Sequence, residues 1–299
     1  VTHEPFSVLL PVYARDHAAY LERSLRSAVA EQTRRPDEVV LVQDGPVGTD
    51  VRGVIDGFRA GAVAPVTVVD LQHNLGLGRA LDAGLAACRY DIVARQDADD
   101  ISLPRRFATL VPLVEAGDDL VGSGLLEFGS TEDDVVGCRT PPTEPAAIAR
   151  YARFHSPFNH PSVVYRRSAV LAVGGYQDLP LLEDYWLFVR MIHHGALVRN
   201  VAEPLVLYRV GSGAFARRGG SRLLLSEVEL QRRMHRLGFT TPAEYARNLL
   251  VRGGYRLVPE RARRTAYRRV FGVGSSAPDD SGPVGNLEAD VSSSQRLDR

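Results

Sequence analysis

Four short apolar runs, each broken off by proline, glycine or acidic residues, hold this chain to an α/β architecture. Ser7 to Val12 (SVLLPV) contains Pro11 near its end, and Glu38 to Val42 (EVVLV) stops at Asp44-Gly45-Pro46. Val66 to Asp70 (VTVVD) gives a third run, and Ile92-Val93-Ala94 leads straight into Gln96-Asp97-Ala98-Asp99-Asp100. Runs of this length and bounding read as buried strands. Between the first two, Tyr20, Leu21, Leu25, Ala28 and Val29 recur at helical spacing, and Leu77, Leu81 and Leu85 form one stripe of a helix over Leu75 to Cys88. A strand, a helix and a second strand make a parallel pair. In open sheets of that kind ligands bind beyond the carboxyl ends of the strands, which is where Pro11-Val12-Tyr13, Asp44-Gly45 and the acidic cluster fall.

The second half is less regular. Asp119 to Leu126 predicts a strand with two glycines, followed by a Pro-rich stretch over Thr140 to Pro145. The apolar spacing predicts a helix around Ala146 to Phe154, a strand around Ser162 to Tyr165, a helix from Glu183 to His194 and a strand over Leu205 to Arg209. Ser221 to Leu250 reads as helical, Pro259 to Val270 as a basic helix with proline in its first turn, and the chain beyond Gly272 as a disordered tail.

A hydrophobic fraction of 44% over 299 residues is enough for a real core. No apolar run reaches the about 18 residues that suggest a spanning helix, and the N-terminus lacks a secretory pattern, so a soluble cytoplasmic enzyme is expected. Cys88 and Cys138 are too few for a disulfide framework and read as free thiols. The net charge is zero but uneven, with 15 Arg against four Glu between residues 209 and 269. There is no Lys, so every fixed side-chain cation is Arg, which suits phosphate forks and excludes lysine Schiff-base chemistry. Codon bias explains the same fact without function. The basic end carries no nucleic-acid-binding motif, and no nucleic-acid partner is expected. Arg261 to Arg269 fits either a weak contact with anionic lipid on the inner face of the cell membrane or a solvated helix face.

Asp97-Ala98-Asp99-Asp100 is the sharpest feature. Carboxylates at alternate positions after a strand can aim one oxygen at a hard divalent cation and another at ribose hydroxyls. An acidic surface loop is the plain alternative. Asp44 can accept from a pyrimidine N–H, or simply form an Asp-Gly turn. Arg79, near a helix start in Asn74-Leu75-Gly76-Leu77-Gly78-Arg79, can meet phosphate.

Together these residues resemble the family 2 glycosyltransferases of GT-A fold, from about Phe6 to Gly220. The elements come in the family's order: Ser7-Val8-Leu9-Leu10-Pro11-Val12-Tyr13, Val42-Gln43-Asp44-Gly45, Asn74-Leu75-Gly76, then Asp97-Ala98-Asp99-Asp100. Asn159-His160-Pro161-Ser162, Gly174-Gly175-Tyr176, Glu183-Asp184-Tyr185-Trp186 and Tyr208-Arg209-Val210 resemble the exopolysaccharide-type branch, which includes amylovoran biosynthesis. The resemblance implies a Rossmann-like, mostly parallel sheet flanked by helices. It implies a nucleotide-sugar-binding half over 1–120, an acceptor-binding and catalytic half over 121–220, and a helical, basic extension over 221–272 ahead of the tail at 273–299. It implies inverting transfer from a nucleotide-diphosphate sugar, UDP or dTDP favoured, to a hydroxyl of a glycan or lipid-linked acceptor, with Mn2+ or Mg2+ as cofactor.

The roles it implies are specific. Pro11, Val12 and Tyr13 surround the nucleobase with Asp44 on its polar edge, Asp97 contacts the ribose, and Ala98 and Arg79 belong to the nucleotide-binding set. Asp99, with Asp100, holds the metal, and Asp184 is the base that takes the acceptor proton. Glu183, His160 and Trp186 stand near acceptor or sugar, though a loop hydrogen bond suits His160 and core packing suits Trp186 as well. Many GT-A enzymes add a late His as metal ligand, and Tyr208-Arg209-Val210-Gly211 offers none. Arg217 and Arg218 are candidates to clamp the diphosphate in its place. A metal-dependent nucleotidyltransferase and a non-catalytic nucleotide-sugar-binding protein are the alternatives.

Overall fold

A computed structural model describes residues 3–62, 64–210 and 221–253. The four apolar runs become β1 (Phe6–Tyr13), β2 (Glu38–Asp44), β3 (Val66–Leu71) and β4 (Ile92–Arg95), all parallel, in the order β3-β2-β1-β4. Between them run α1 (Ala18–Val29), α2 (Thr49–Gly61) and α3 (Leu77–Ala87). Along β1, Phe6, Val8, Leu10 and Val12 face one core layer with α1, and Leu9 faces the other with Leu81 and Leu85 of α3. This two-sided burial is why β1 reads as a continuous apolar run rather than an alternating one.

After β4 the chain passes through β5 (Ile101–Ser102), α4 (Arg106–Glu115), β6 (Leu120–Phe128), β7 (Val135–Arg139) and α5 (Pro145–Tyr151). A 3-10 turn (His160–Ser162), β8 (Val164–Arg166), α6 (Arg167–Ala172), α7 (Glu183–His193) and β9 (Val198–Arg209) follow. β8 lies antiparallel to both β4 and β6, and so joins the first four strands to β6, β9, β5 and β7 in one mixed sheet. The parallel arrangement thus holds through the first half and mixes in the second. β9 starts seven residues earlier than the apolar spacing predicts, because its first part pairs with β6 across a register shift near Gly124.

The helical stretch from Ser221 is two helices, α8 (Ser221–Arg236) and α9 (Pro242–Asn248), and ends in a π turn (Leu249–Gly253). Thr241 starts the second through a capping box: its hydroxyl accepts from Glu244 N–H (3.2 Å) while its own N–H donates to the Glu244 carboxylate (2.8 Å). The basic segment from Arg261 to Arg269 and the pair Arg217 and Arg218 lie outside the described residues. Among the described residues no helix is long and apolar enough to cross a membrane.

Candidate active site

The acidic turn after β4 is built on a buried polar network. Arg95, the last residue of β4, is 2% exposed and grips both oxygens of Asp97 with its two terminal nitrogens. Gln96 Nε2 donates to Ser24 Oγ (2.9 Å) and to the Asp100 carbonyl (2.9 Å), and Ser24 Oγ donates to the Asp97 carbonyl (2.6 Å). Fully buried Arg106 donates to Gln96 Oε1 (2.6 Å), Ser102 Oγ (2.8 Å) and the Arg95 carbonyl. Burial, and then the like charge of Arg95, pull the Arg106 guanidinium down to about 9. Arg95 did not stand out in the sequence, where nothing separates a buried Arg from an exposed one.

Arg209, at the end of β9, closes the turn from the other side. Its N–H donates to Asp100 Oδ1 (3.0 Å), its Nε donates to the Asp99 carbonyl (3.2 Å), and its guanidinium sits over the Tyr20 and Phe128 rings at 3.9 and 4.4 Å. Asp100 is fully buried, and its Oδ2 has no hydrogen-bond partner among the described residues. Burial, with the charges of Asp97 and Asp99, pushes the Asp100 carboxyl well above the usual range. A lone buried carboxylate oxygen crowded by like charge suits a hard cation, so the turn fits Mn2+ or Mg2+. No group of three or more His, Cys, Asp or Glu side chains able to hold an ion occurs among the described residues.

The other donor-side residues divide by accessibility. Pro11, Val12 and Ala98 are buried, Val12 and Ala98 within the core on the α1 side, and Tyr13 alone of the β1 end offers side-chain surface. Alternation along β1 turns the Val12 side chain inward, which leaves its backbone, with Tyr13, at the strand end. Asp44 holds the loop before α3: its two oxygens accept from the N–H groups of Leu75 (2.6 Å) and Gly76 (3.0 Å). The Gly45 backbone (φ 81) lies so close to that loop that an added Cβ would stand 2.6 Å from Asn74 N. Arg79 is exposed on the first turn of α3.

His160, Tyr176, Glu183 and Asp184 meet at the start of α7. Gly174 and Gly175 (φ 85 and 64) reverse the chain, and Arg190 and Asp82 pin that turn, the first by donating to the Val173 and Gly175 carbonyls and the second by accepting Tyr176 N–H (2.8 Å). Tyr176 Oη then lies 2.9 Å from His160 Nε2, and His160 Nδ1 lies 3.9 Å from Asp184 Oδ2. Burial, and then Arg95, keep His160 far below its ordinary pKa and so neutral. Glu183 is 8% exposed, with Gly78 of α3 packed against it. Burial and the adjacent Asp184 raise the Glu183 carboxyl to about 7, and burial raises that of Asp184, opposed by the Tyr185 N–H and by Arg95. Leu181, two residues ahead of α7, takes the left-handed conformation (φ 71) that a branched side chain disfavours, the kind of local strain that often marks functional sites.

Trp186 takes the core-packing place. It is 6% exposed, donates from Nε1 to Gln177 Oε1 (2.8 Å) and packs with Leu179, Tyr185, Leu230 and Met234. Two residues along a helix turn the side chain about 200° away from Asp184, toward α8. That packing supports the core reading of Trp186 over an acceptor platform.

Residues 7–173 match the family model described as glycosyl transferase family 2. The amylovoran biosynthesis glycosyltransferase AmsE of Erwinia amylovora is 36% identical, over 88% of this chain and 98% of that protein. The Escherichia coli UDP-Gal:alpha-D-GlcNAc-diphosphoundecaprenol beta-1,3-galactosyltransferase is 32% identical, over 89% of this chain and 96% of its own length. Among solved structures, the mannosyltransferase PcManGT of Pyrobaculum calidifontis, in complex with GDP-Man and Mn2+, superposes with a TM-score of 0.61 at 18% identity, over 92% of this chain and 77% of that one. That likeness carries the GT-A fold.

Proposed function

The chain belongs to glycosyl transferase family 2 and is a glycosyltransferase, and on that premise we propose an inverting enzyme that moves a sugar from a UDP- or dTDP-sugar to a hydroxyl of a lipid-linked glycan in cell-surface polysaccharide synthesis. The observation that carries this reading is the pairing of two acidic sets from different segments: the turn Asp97 to Asp100 after β4, and Glu183-Asp184 at the start of α7. Inversion by one displacement needs charge stabilisation on the leaving group and a base on the opposite face of the sugar. The acceptor oxygen attacks the anomeric carbon as Asp184 takes its proton. The bond from that carbon to the donor diphosphate breaks, and its electron pair leaves with the diphosphate.

Asp99 and Asp100 would hold Mn2+ or Mg2+, which when bound neutralises charge on the departing diphosphate. Tyr13 and Arg79 bind the nucleotide, Asp97 meets the ribose, and Asp44 shapes the loop through which α3 meets the donor. Buried, neutral His160, held by Tyr176, packs 3.9 Å from Asp184 and shields the base from solvent on that side. The name of the Escherichia coli relative, with a uridine donor and a diphosphoundecaprenol-linked acceptor, supports the donor and acceptor classes. A lipid-linked acceptor draws a cytoplasmic enzyme to the inner face of the membrane.

A screen of UDP-, dTDP- and GDP-sugars with Mn2+ or Mg2+, read as diphosphate release on adding diphosphoundecaprenol-linked acceptors, tests the class of donor. For the base, Asp184→Asn is expected to keep donor binding and to lower transfer by at least about 100-fold. Transfer at the wild-type rate in that variant sinks the assignment.

A further inference from the structure

Arg95 has no place in the mechanism above, yet it is a buried cation beside it. It ends β4, hydrogen-bonds through its backbone N–H to the Val163 carbonyl next to the His160 turn, and is 2% exposed. Its guanidinium holds Asp97, and its Nε has no partner among the described residues. A charge so placed is costly to bury unless it is used on several sides. The acidic groups around it come from separate elements: Asp97 and Asp100 from the turn, Glu183 and Asp184 from α7, with the Tyr176 hydroxyl beside them. His160 of the 3-10 turn, hydrogen-bonded to Tyr176 of the loop before α7 (2.9 Å), lies 3.9 Å from Asp184, and the charges of Arg95 of β4 and Asp97 of the acidic turn act on the pair.

We propose that Arg95 is a positioning residue shared by the two halves of the site: its fork fixes the Asp97 carboxylate for the donor, and its buried charge faces the Glu183-Asp184 pair that serves the acceptor. This rests on the donor and base roles proposed above. Burial opposes the charge of Arg95, but Asp97, Tyr176 and Asp100 outweigh it and hold its pKa above the ordinary arginine value. In return its charge draws the Asp184 and Glu183 carboxyls down against the burial that raises them. The two functions of the residue separate chemically. A lysine keeps the charge and loses the planar fork, whereas methionine loses both.

The test uses the full chain with Arg95→Lys and Arg95→Met beside Asp184→Asn. Thermal melting reports folding, calorimetry reports affinity for the diphosphate (UDP, dTDP or GDP) of the donor that the screen returns, and kcat/KM is followed against pH. Arg95→Lys is expected to weaken diphosphate binding at least about fivefold while the acid limb of the pH profile stays in place. Arg95→Met is expected to weaken binding as much and to move the acid limb to higher pH, since a base that has lost its cation stays protonated longer. Diphosphate affinity unchanged in Arg95→Lys overturns the proposal, and that arm decides alone if Arg95→Met does not fold. In a folded Arg95→Met, an unmoved acid limb overturns it too. If Asp184→Asn transfers sugar normally, the base reading has failed, and the diphosphate affinities still judge the hold of Arg95 on Asp97.

Discussion

At Glu183, burial and the charge of Asp184 favour the protonated form, so this residue makes folding depend on pH. With a folded pKa of about 7 against an ordinary 4.5, the folded state binds the extra proton. Its contribution to stability is therefore complete below pH 4.5 and is lost as pH rises through 7. Glu183→Gln should gain about 1–3 kcal/mol over wild type at pH 8 and nothing at pH 4, read by thermal melting across that range. The same burial raises Asp184, so the acid limb of kcat/KM should lie above the pKa of an ordinary aspartate, and Asp184→Asn should abolish the activity that shows it. Trp186 differs although it is only two residues away. Trp186→Ala should cost about 3–5 kcal/mol by emptying the contact with Leu230 and Met234, whereas donor KM in the folded fraction should not change. A raised acceptor KM with unchanged stability would return Trp186 to the acceptor.

The elements are set by how closely they approach. α3 lies against β1 and β2 through Gly84, where an added Cβ would stand 2.3 Å from Leu9 Cδ1 and 2.7 Å from Val42 Cγ2. Gly84→Val should cost about 1–3 kcal/mol, and because α3 carries Arg79 and packs Gly78 on Glu183, it should also weaken nucleotide binding. Melting and calorimetry on the same sample check both. The elements that announced themselves in the sequence are those with strong periodicity: β1 to β4, α1, α3 and α7. β5 is two residues long, β7 is a half-exposed edge, and α4 carries Pro112 inside it, so none of the three gives a clean period. Their places come from pairing with β9 and β6 and from packing beneath the sheet, contacts far away in sequence.

For the whole molecule the decisive contact is β8, which pairs with β4 on one side and β6 on the other and makes one sheet of the two halves. Unfolding should therefore be a single transition. Far-UV circular dichroism reports all of the helices, while the fluorescence of Trp186, the single tryptophan, reports the contact of α7 with α8. The two melts should coincide, and separated midpoints would show halves that unfold independently. The sequence by itself determined the α/β class, the first parallel pair of strands and the acidic turn at a strand end, because local periodicity and motif spacing are written in neighbouring residues, while the Glu183-Asp184 pair came from the family resemblance. Only the tertiary structure decided which neighbours bury Trp186, that Asp44 ties down the loop before α3, and that Arg95, Arg106 and Arg209 out of 36 arginines gather around the acidic turn. Burial and partnership depend on which distant segments the sheet brings together, and identical arginine letters differ in nothing until it does.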